Sequence, residues 1–276
     1  MPVFGIGTWM MGGRDTYDPA NDDEADIRAI QSAIERGITH IDTAELYGGG
    51  HAEELVAEAI APYDRSKFFL VSKVRGEHLC YDDVMRAIEG SLQRLRTDYL
   101  DLYLVHWPDP AVPLKETMRA MNALREQNVV RSIGVSNFAK ERLYQAQGLS
   151  NYPIVTNQVH YNLRVREVEI TGLLSYCQKH DVIVTAYRPV EKGLLAQLGI
   201  SVVDELSEKY GKTPAQIALN WLISQPNVVT IAKSRNIAHL EENLGALDWT
   251  MTPDDVELLR REYPDQQPTS DVGLLE

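Results

Sequence analysis

Eight short apolar runs alternate with amphipathic segments along almost the whole of this chain. The runs are 3–8, 38–42, 68–73, 99–106, 129–135, 153–158, 182–187 and 227–231. The amphipathic stretches are 23–36, 51–61, 80–95, 114–126, 139–147, 166–179, 202–223 and 236–245. The runs are continuously apolar, as expected of parallel strands buried on both faces by crossover helices. In the third helical stretch Val84, Ile88, Leu92 and Leu95 recur at near-helical spacing. Gly37, Gly211 and Gly245 punctuate helix ends, and Thr213-Pro214 opens a new helix inside the seventh connection. Eight strand-helix units in 276 residues predict a (β/α)8 TIM barrel, a single domain over residues 1–276. A doubly wound sheet is disfavoured, because Gly5-Ile6-Gly7-Thr8-Trp9 is no glycine-rich phosphate turn. Gly48-Gly49-Gly50 reads as a flexible turn into the helix at 51.

Several of these strands end on groups that an apolar core avoids. Asp42 closes the second, Lys73 the third and His106 the fourth, and Tyr47 follows in the loop after the second. The C-terminal ends of barrel strands face the loops that carry chemistry. Any one of the four has a plain structural use as a cap, a solvent-reaching cation or a hydrogen-bonded ring. Four on adjacent strands, each costly to bury unpaired, point to proton transfer. Carbonyl reduction fits, since hydride addition builds negative charge on oxygen that an acid must quench. Tyr47 would be that acid, Lys73 would make the phenol more acidic, Asp42 would anchor Lys73, and His106 would orient the carbonyl oxygen.

Composition narrows the partners. A net charge of −13 argues against nucleic acid or an anionic membrane surface. The acids are dispersed (Asp22, Asp23, Glu24 and Asp26; Glu53 and Glu54; Asp254, Asp255 and Glu257), which reads as a solvated surface. No apolar run reaches the roughly 20 residues that cross a bilayer. The first residues show no secretory pattern, and Cys80 and Cys177 read as reduced thiols in packing roles. A cytoplasmic monomer acting on a small molecule is expected, with no metal, since no His-x-His pair ends a strand.

Seven blocks in register resemble the aldo-keto reductases. They are GxGTW at 5–9, IDTAELYGGG at 41–50, SK at 72–73, DYLDLYLVHWP at 98–108, RSIGVSNF at 131–138, TNQVHYN at 156–162 and IAKSRNIAHLEEN at 231–243. The likeness is to short-loop bacterial or archaeal members of the diketogluconate and aldehyde reductase kind. It implies a nicotinamide-dependent reductase whose catalytic tetrad is Asp42, Tyr47, Lys73 and His106. It further implies that Ser136, Asn137 and Gln158 hold the carboxamide, for which amide and hydroxyl groups are suited, and that Tyr187 stacks on the nicotinamide ring. Lys233, Ser234 and Arg235 would take the 2′-phosphate before a helix N-terminus, and Glu242-Asn243 would meet the adenine. NADPH is therefore expected as cofactor, with NADH a weaker alternative. His239 stands where the family often has arginine, a gap that Arg235 would fill. Arg188 replaces a usual serine, either touching the pyrophosphate or lying on the loop surface.

Trp9, Tyr47, His106 and Trp107 would wall the substrate pocket. The short segment from Trp107 to Pro113 and the short tail from 263, read as extended surface chain, predict an open site. Small aldehydes, ketoaldehydes or sugar-derived carbonyls suit it better than steroids. Because the chain starts almost directly at the first strand, the barrel bottom needs a shorter plug than a hairpin or is more exposed. Two other readings remain, a barrel lyase with Lys73 as Schiff-base nucleophile and a non-catalytic nicotinamide-binding regulatory protein.

Overall fold

The computed structural model describes residues 1–272 and 275. Eight parallel strands close into one barrel in chain order: β1 (Phe4–Gly7), β2 (His40–Asp42), β3 (Phe69–Val74), β4 (Leu102–Val105), β5 (Ile133–Ser136), β6 (Ile154–His160), β7 (Ile183–Tyr187) and β8 (Val228–Ala232). Closure is made by β8 pairing with β1, Ala232 opposite Ile6. Around it lie α1 (Asp23–Glu35), α2 (His51–Ile60), α3 (Tyr81–Leu95), α4 (Leu114–Glu126), α5 (Lys140–Leu149), α6 (Glu167–Ile170), α7 (Leu173–Lys179), α8 (Ser201–Tyr210), α9 (Pro214–Ile223), α10 (Ile237–Leu244) and α11 (Pro253–Glu262). The (β/α)8 expectation holds.

Two apolar layers explain the continuous runs. Ile6, Ile41, Leu70, Val105 and Val135 belong to the large cluster that also contains Ile30, Ile88, Met121 and Trp221 from the helices. Val71, Leu102 and Leu104 form a separate cluster, with Phe69 and Val155 half-buried against it. Phe69 and Val155 come from the N-terminal ends of β3 and β6, so side chains plug the barrel bottom. Gly134 makes room for this layer, because a Cβ there would lie 2.6 Å from Leu104 Cδ2 and 2.9 Å from Thr156 Cγ2.

Several elements depart from the sequence reading. The stretch 166–179 breaks into α6 and α7 at Gly172, which has φ +73°. The seventh connection, by contrast, is two helices as Thr213-Pro214 predicts: Thr213 and Gln216 form a reciprocal capping box at the second, with Pro214 in its first turn. Helix α11 lies outside the expected elements, although Thr252 caps it, Pro253 opens it and Arg260 and Arg261 close it. Residues 263–272 of the tail are not free surface chain, and 273, 274 and 276 lie outside the described residues. Arg166 N donates to Gln267 O at 3.0 Å, Gln267 N donates to Arg164 O at 2.7 Å, and Tyr263 and Ser270 are buried. A backbone bridge and two buried side chains dock it beside the end of β6.

The dispersed acids also need correction. Asp26, Glu53 and Asp255 are buried. Asp26 pairs with Arg235, Glu53 with Arg94, and Asp255 with Lys209. Asp26 shares the inner face of α1 with Ala29, Ile30 and Ala33, and its cationic partner comes from the other end of the chain.

Candidate active site

The four strand-end groups converge. Lys73 is fully buried, and its ammonium donates to Asp42 Oδ1 at 2.5 Å, Thr43 O at 2.9 Å and the Tyr47 hydroxyl at 3.1 Å. All three N–H bonds are thereby used. Parallel register explains the approach: β2 and β3 pair Asp42 with Val71, so Lys73 lies two residues further along and reaches back across the rim. Tyr47 is delivered by a tight turn in which Gly48, Gly49 and Gly50 have φ of +60°, +63° and +99°. Three consecutive left-handed residues make this a set turn that only glycine adopts freely, not a loose linker.

The electrostatics are only partly those expected from charge. Burial, the dominant influence, pushes the Tyr47 phenol above its ordinary 10.0; Lys73 opposes this and Asp42 adds to it. The expected net acidification is therefore overturned. Lys73 restrains a burial effect that would otherwise be larger, and Tyr47 stays protonated near neutrality. Although burial opposes it, Asp42 and Tyr47 together hold Lys73 above its usual value. Burial first, then Lys73 and Arg75, keep His106 well below 6.5, so its ring is neutral.

An aromatic wall stands over these groups. The Trp9 and Tyr47 rings meet edge to face at 4.9 Å, as do Tyr47 and His106 at 5.5 Å, while His106 and Trp107 lie tilted by 31° at 4.2 Å. The four expected pocket residues are contiguous.

The residues assigned to the carboxamide are joined to the tetrad. Gln158 Nε2 donates to Asp42 Oδ2 at 2.8 Å, and Ser136 Oγ donates to Gln158 O at 2.8 Å. Asn137, with φ +61°, donates through Nδ2 to His106 O at 3.1 Å and Ser136 Oγ at 3.0 Å. Its Oδ1 accepts from the Tyr187 hydroxyl at 3.0 Å. Tyr187 thus has its edge tethered and its ring standing at the rim.

The strand-eight group divides. Lys233 is exposed, and desolvation by the surrounding rim, with Arg235 adding to it, draws its ammonium down to about 8. Ser234 Oγ donates to Asn236 O at 2.7 Å. Arg235 is committed elsewhere: Nε and Nη2 both reach Asp26, and Nη2 also donates to Asn21 Oδ1 at 2.7 Å and Met10 O at 3.0 Å. It locks the loop after β1 to the end of β8, so it does not stand free to replace the missing arginine at His239. His239 is exposed on α10, where Glu242 is half-buried and Asn243 buried. Arg188 lies 3.7 Å from Glu191 and 3.8 Å from Asp271, a position among acids at the loop surface.

Asp26, Asn21, His160, Asn162 and Glu191 join the rim without standing out as site residues in the sequence. For Asp26 the helical spacing with Ile30 and Ala33 was the available signal; the others depend on partners far apart in the chain.

A buried ammonium bridges a carboxylate and a phenol beside a neutral imidazole and an aromatic wall, so the four residues that the sequence blocks single out, Asp42, Tyr47, Lys73 and His106, stand together. The model of the Aldo/keto reductase family matches residues 3–263. The chain belongs to the aldo/keto reductase family. Methylglyoxal reductase YeaE of Escherichia coli (strain K12) is 37% identical over 270 residues, covering 96% of this chain and 92% of that protein. A thermostable aldo-keto reductase solved with the inhibitor epalrestat superposes with a TM-score of 0.90 at 45% identity, covering 94% of each chain. An aldo-keto reductase from Klebsiella pneumoniae solved with NADPH superposes with a TM-score of 0.85 at 38% identity, covering 98% of this chain and 94% of that one. The chain is accordingly an NAD(P)H-dependent oxidoreductase. Its residues fit such a cofactor: His106 Nδ1 and Thr43 Oγ1 are buried with no hydrogen-bond partner among the described residues, and amide, hydroxyl and ammonium groups line the rim beside them.

Proposed function

We propose that the protein is an NADPH-dependent reductase of small aldehydes and dicarbonyls such as methylglyoxal, with Tyr47 as the proton donor. The observation that carries this is the Lys73 ammonium, fully buried and bonded at once to Asp42 and to the Tyr47 hydroxyl. When bound, the nicotinamide supplies a hydride to the carbonyl carbon. Ser136, Asn137 and Gln158 would hold its carboxamide and Tyr187 its ring face, with Lys233 and the N-terminal end of α10 toward the 2′-phosphate. His106, neutral, donates a hydrogen bond to the carbonyl oxygen and orients it. Tyr47 passes its proton to that oxygen as negative charge grows there. The tyrosinate left behind lies beside the ammonium at 3.1 Å, which stabilises it until a proton returns.

Lys73 is a poor Schiff-base nucleophile. That role needs a neutral amine, whereas Asp42 and Tyr47 hold this one protonated and occupy its bonds. The test is NADPH oxidation with methylglyoxal by the parent and by Tyr47→Phe. The variant should lose about 10²–10⁴-fold in turnover while still quenching its fluorescence on binding NADPH. Retention of most activity would refute the proton-donor role.

A further inference from the structure

Beyond Gln158, β6 runs on to His160, which pairs across the sheet with Tyr187. The two rings lie 5.4 Å apart and 14° from parallel. His160 is buried, and both its nitrogens are engaged: Nδ1 lies 2.8 Å from Ser270 Oγ in the docked tail, and Nε2 lies 2.7 Å from Glu191 Oε2. Asn162 Nδ2 donates to that same carboxylate oxygen at 2.8 Å and to Arg188 O at 2.9 Å. Ser270 N donates to Glu167 Oε2 at 3.0 Å.

The turn that carries Glu191 is strained. Arg188, Glu191 and Lys192 have φ of +54°, +43° and +56°, and non-glycine residues persist there only where their surroundings hold them. The surroundings here are His160 and Asn162. His160, Glu191 and Asp271 bring ligand atoms within 4.8 Å of one another. With both ring nitrogens bonded and Arg188 at 3.8 Å from Asp271, the cluster is a hydrogen-bond node and not a cation cage.

We propose that His160 is a positioning residue for cofactor exchange. It backs the Tyr187 ring and ties that ring to the 188–193 turn and the 264–272 segment, so the three move apart together when NADPH leaves. This rests on Tyr187 being the nicotinamide platform. Hydrogen–deuterium exchange on the free protein tests the coupling without cofactor, and a stopped-flow chase with excess NADP⁺ reads NADPH release. In His160→Ala, which loses the hydrogen bonds to both Ser270 and Glu191, both segments should gain deuterium together and release should quicken by roughly tenfold or more. Ser270→Ala, a milder change, should loosen the 188–193 turn as well as its own segment. The proposal is overturned if Ser270→Ala loosens only the tail, or if folded His160→Ala releases NADPH at the parent rate. Should His160→Ala not fold, Ser270→Ala and Glu191→Gln carry the same two measurements. A Tyr187→Ala variant that binds NADPH like the parent would instead overturn the platform reading, while the deuterium exchange still tests the node by itself.

Discussion

Replacing Lys73 with methionine keeps most of the side chain's length and removes its charge, so it separates ion pairing from packing. The parent ammonium is fully buried and has three acceptors, at 2.5, 2.9 and 3.1 Å. Its loss leaves Asp42, 1% exposed, with the Gln158 amide as its remaining side-chain donor. Breaking one side of a buried pair costs about 3–5 kcal/mol. The catalytic loss has a different origin. At 3.1 Å and an effective dielectric of about 20, the ammonium attracts a tyrosinate by about 5 kcal/mol. A proton only partly transferred in the transition state realises part of that, so turnover should fall by about 10²–10³. Urea unfolding followed by circular dichroism, with single-turnover NADPH oxidation, reads both effects. Adding Asp42→Asn to Lys73→Met removes the stranded carboxylate and should recover about 2 kcal/mol of stability without recovering turnover. If Asp42→Asn instead lowers stability equally in the parent and in Lys73→Met, the two groups are not coupled and the electrostatic account fails.

Three further outcomes are expected. With NADPH saturating, kcat/KM for the carbonyl should stay level from about pH 6.5 to 9.5, because Tyr47 is held above 10.0 and His106 well below 6.5. A limb centred near pH 8 would contradict this assignment of protonation states. NADPH affinity should weaken as pH rises through about 8, where Lys233 loses its charge. Titrations of Lys233→Met should lose that dependence and favour NADPH over NADH far less; equal losses for both cofactors would remove Lys233 from the phosphate. His40 is buried in the barrel and held at about 4, chiefly by burial, against 6.5 for an ordinary histidine. The unfolded chain therefore takes up the proton first as pH falls, and up to about 3 kcal/mol of stability is lost between pH 6.5 and 4. His40→Gln should show a shallower slope over that interval in urea melts, and an unchanged slope would assign the loss to other groups.

The barrel and its tetrad were legible because both follow from local rules. A strand covered on two faces must be apolar along its length, so a charged residue at its end stands out. That is why Asp42, Lys73 and His106 were visible without coordinates. Arg235 shows where such reading fails. Its neighbours in sequence, Lys233 and Ser234, suggest a phosphate, yet its partner Asp26 lies 209 residues away and has the look of a surface acid. A one-dimensional pattern records that a group is charged, not which opposite charge the fold brings to it. Helix α11 is a different case, since Thr252, Pro253 and the terminal arginines are all readable signals.

Tyr47 exposes a deeper gap. Charge alone predicts that a lysine acidifies a neighbouring phenol, but the same burial that brings Lys73 within 3.1 Å also strips both groups of water. Desolvation disfavours the tyrosinate more than the ammonium favours it, with Asp42 subtracting further. For a reductase this sign is serviceable: the acid must be protonated when the hydride arrives, and the ammonium has only to make the brief anion tolerable. Lys73 therefore acts on the state after proton transfer, not on the resting ionisation of Tyr47. Its removal should slow turnover while leaving the neutral-pH plateau where it is.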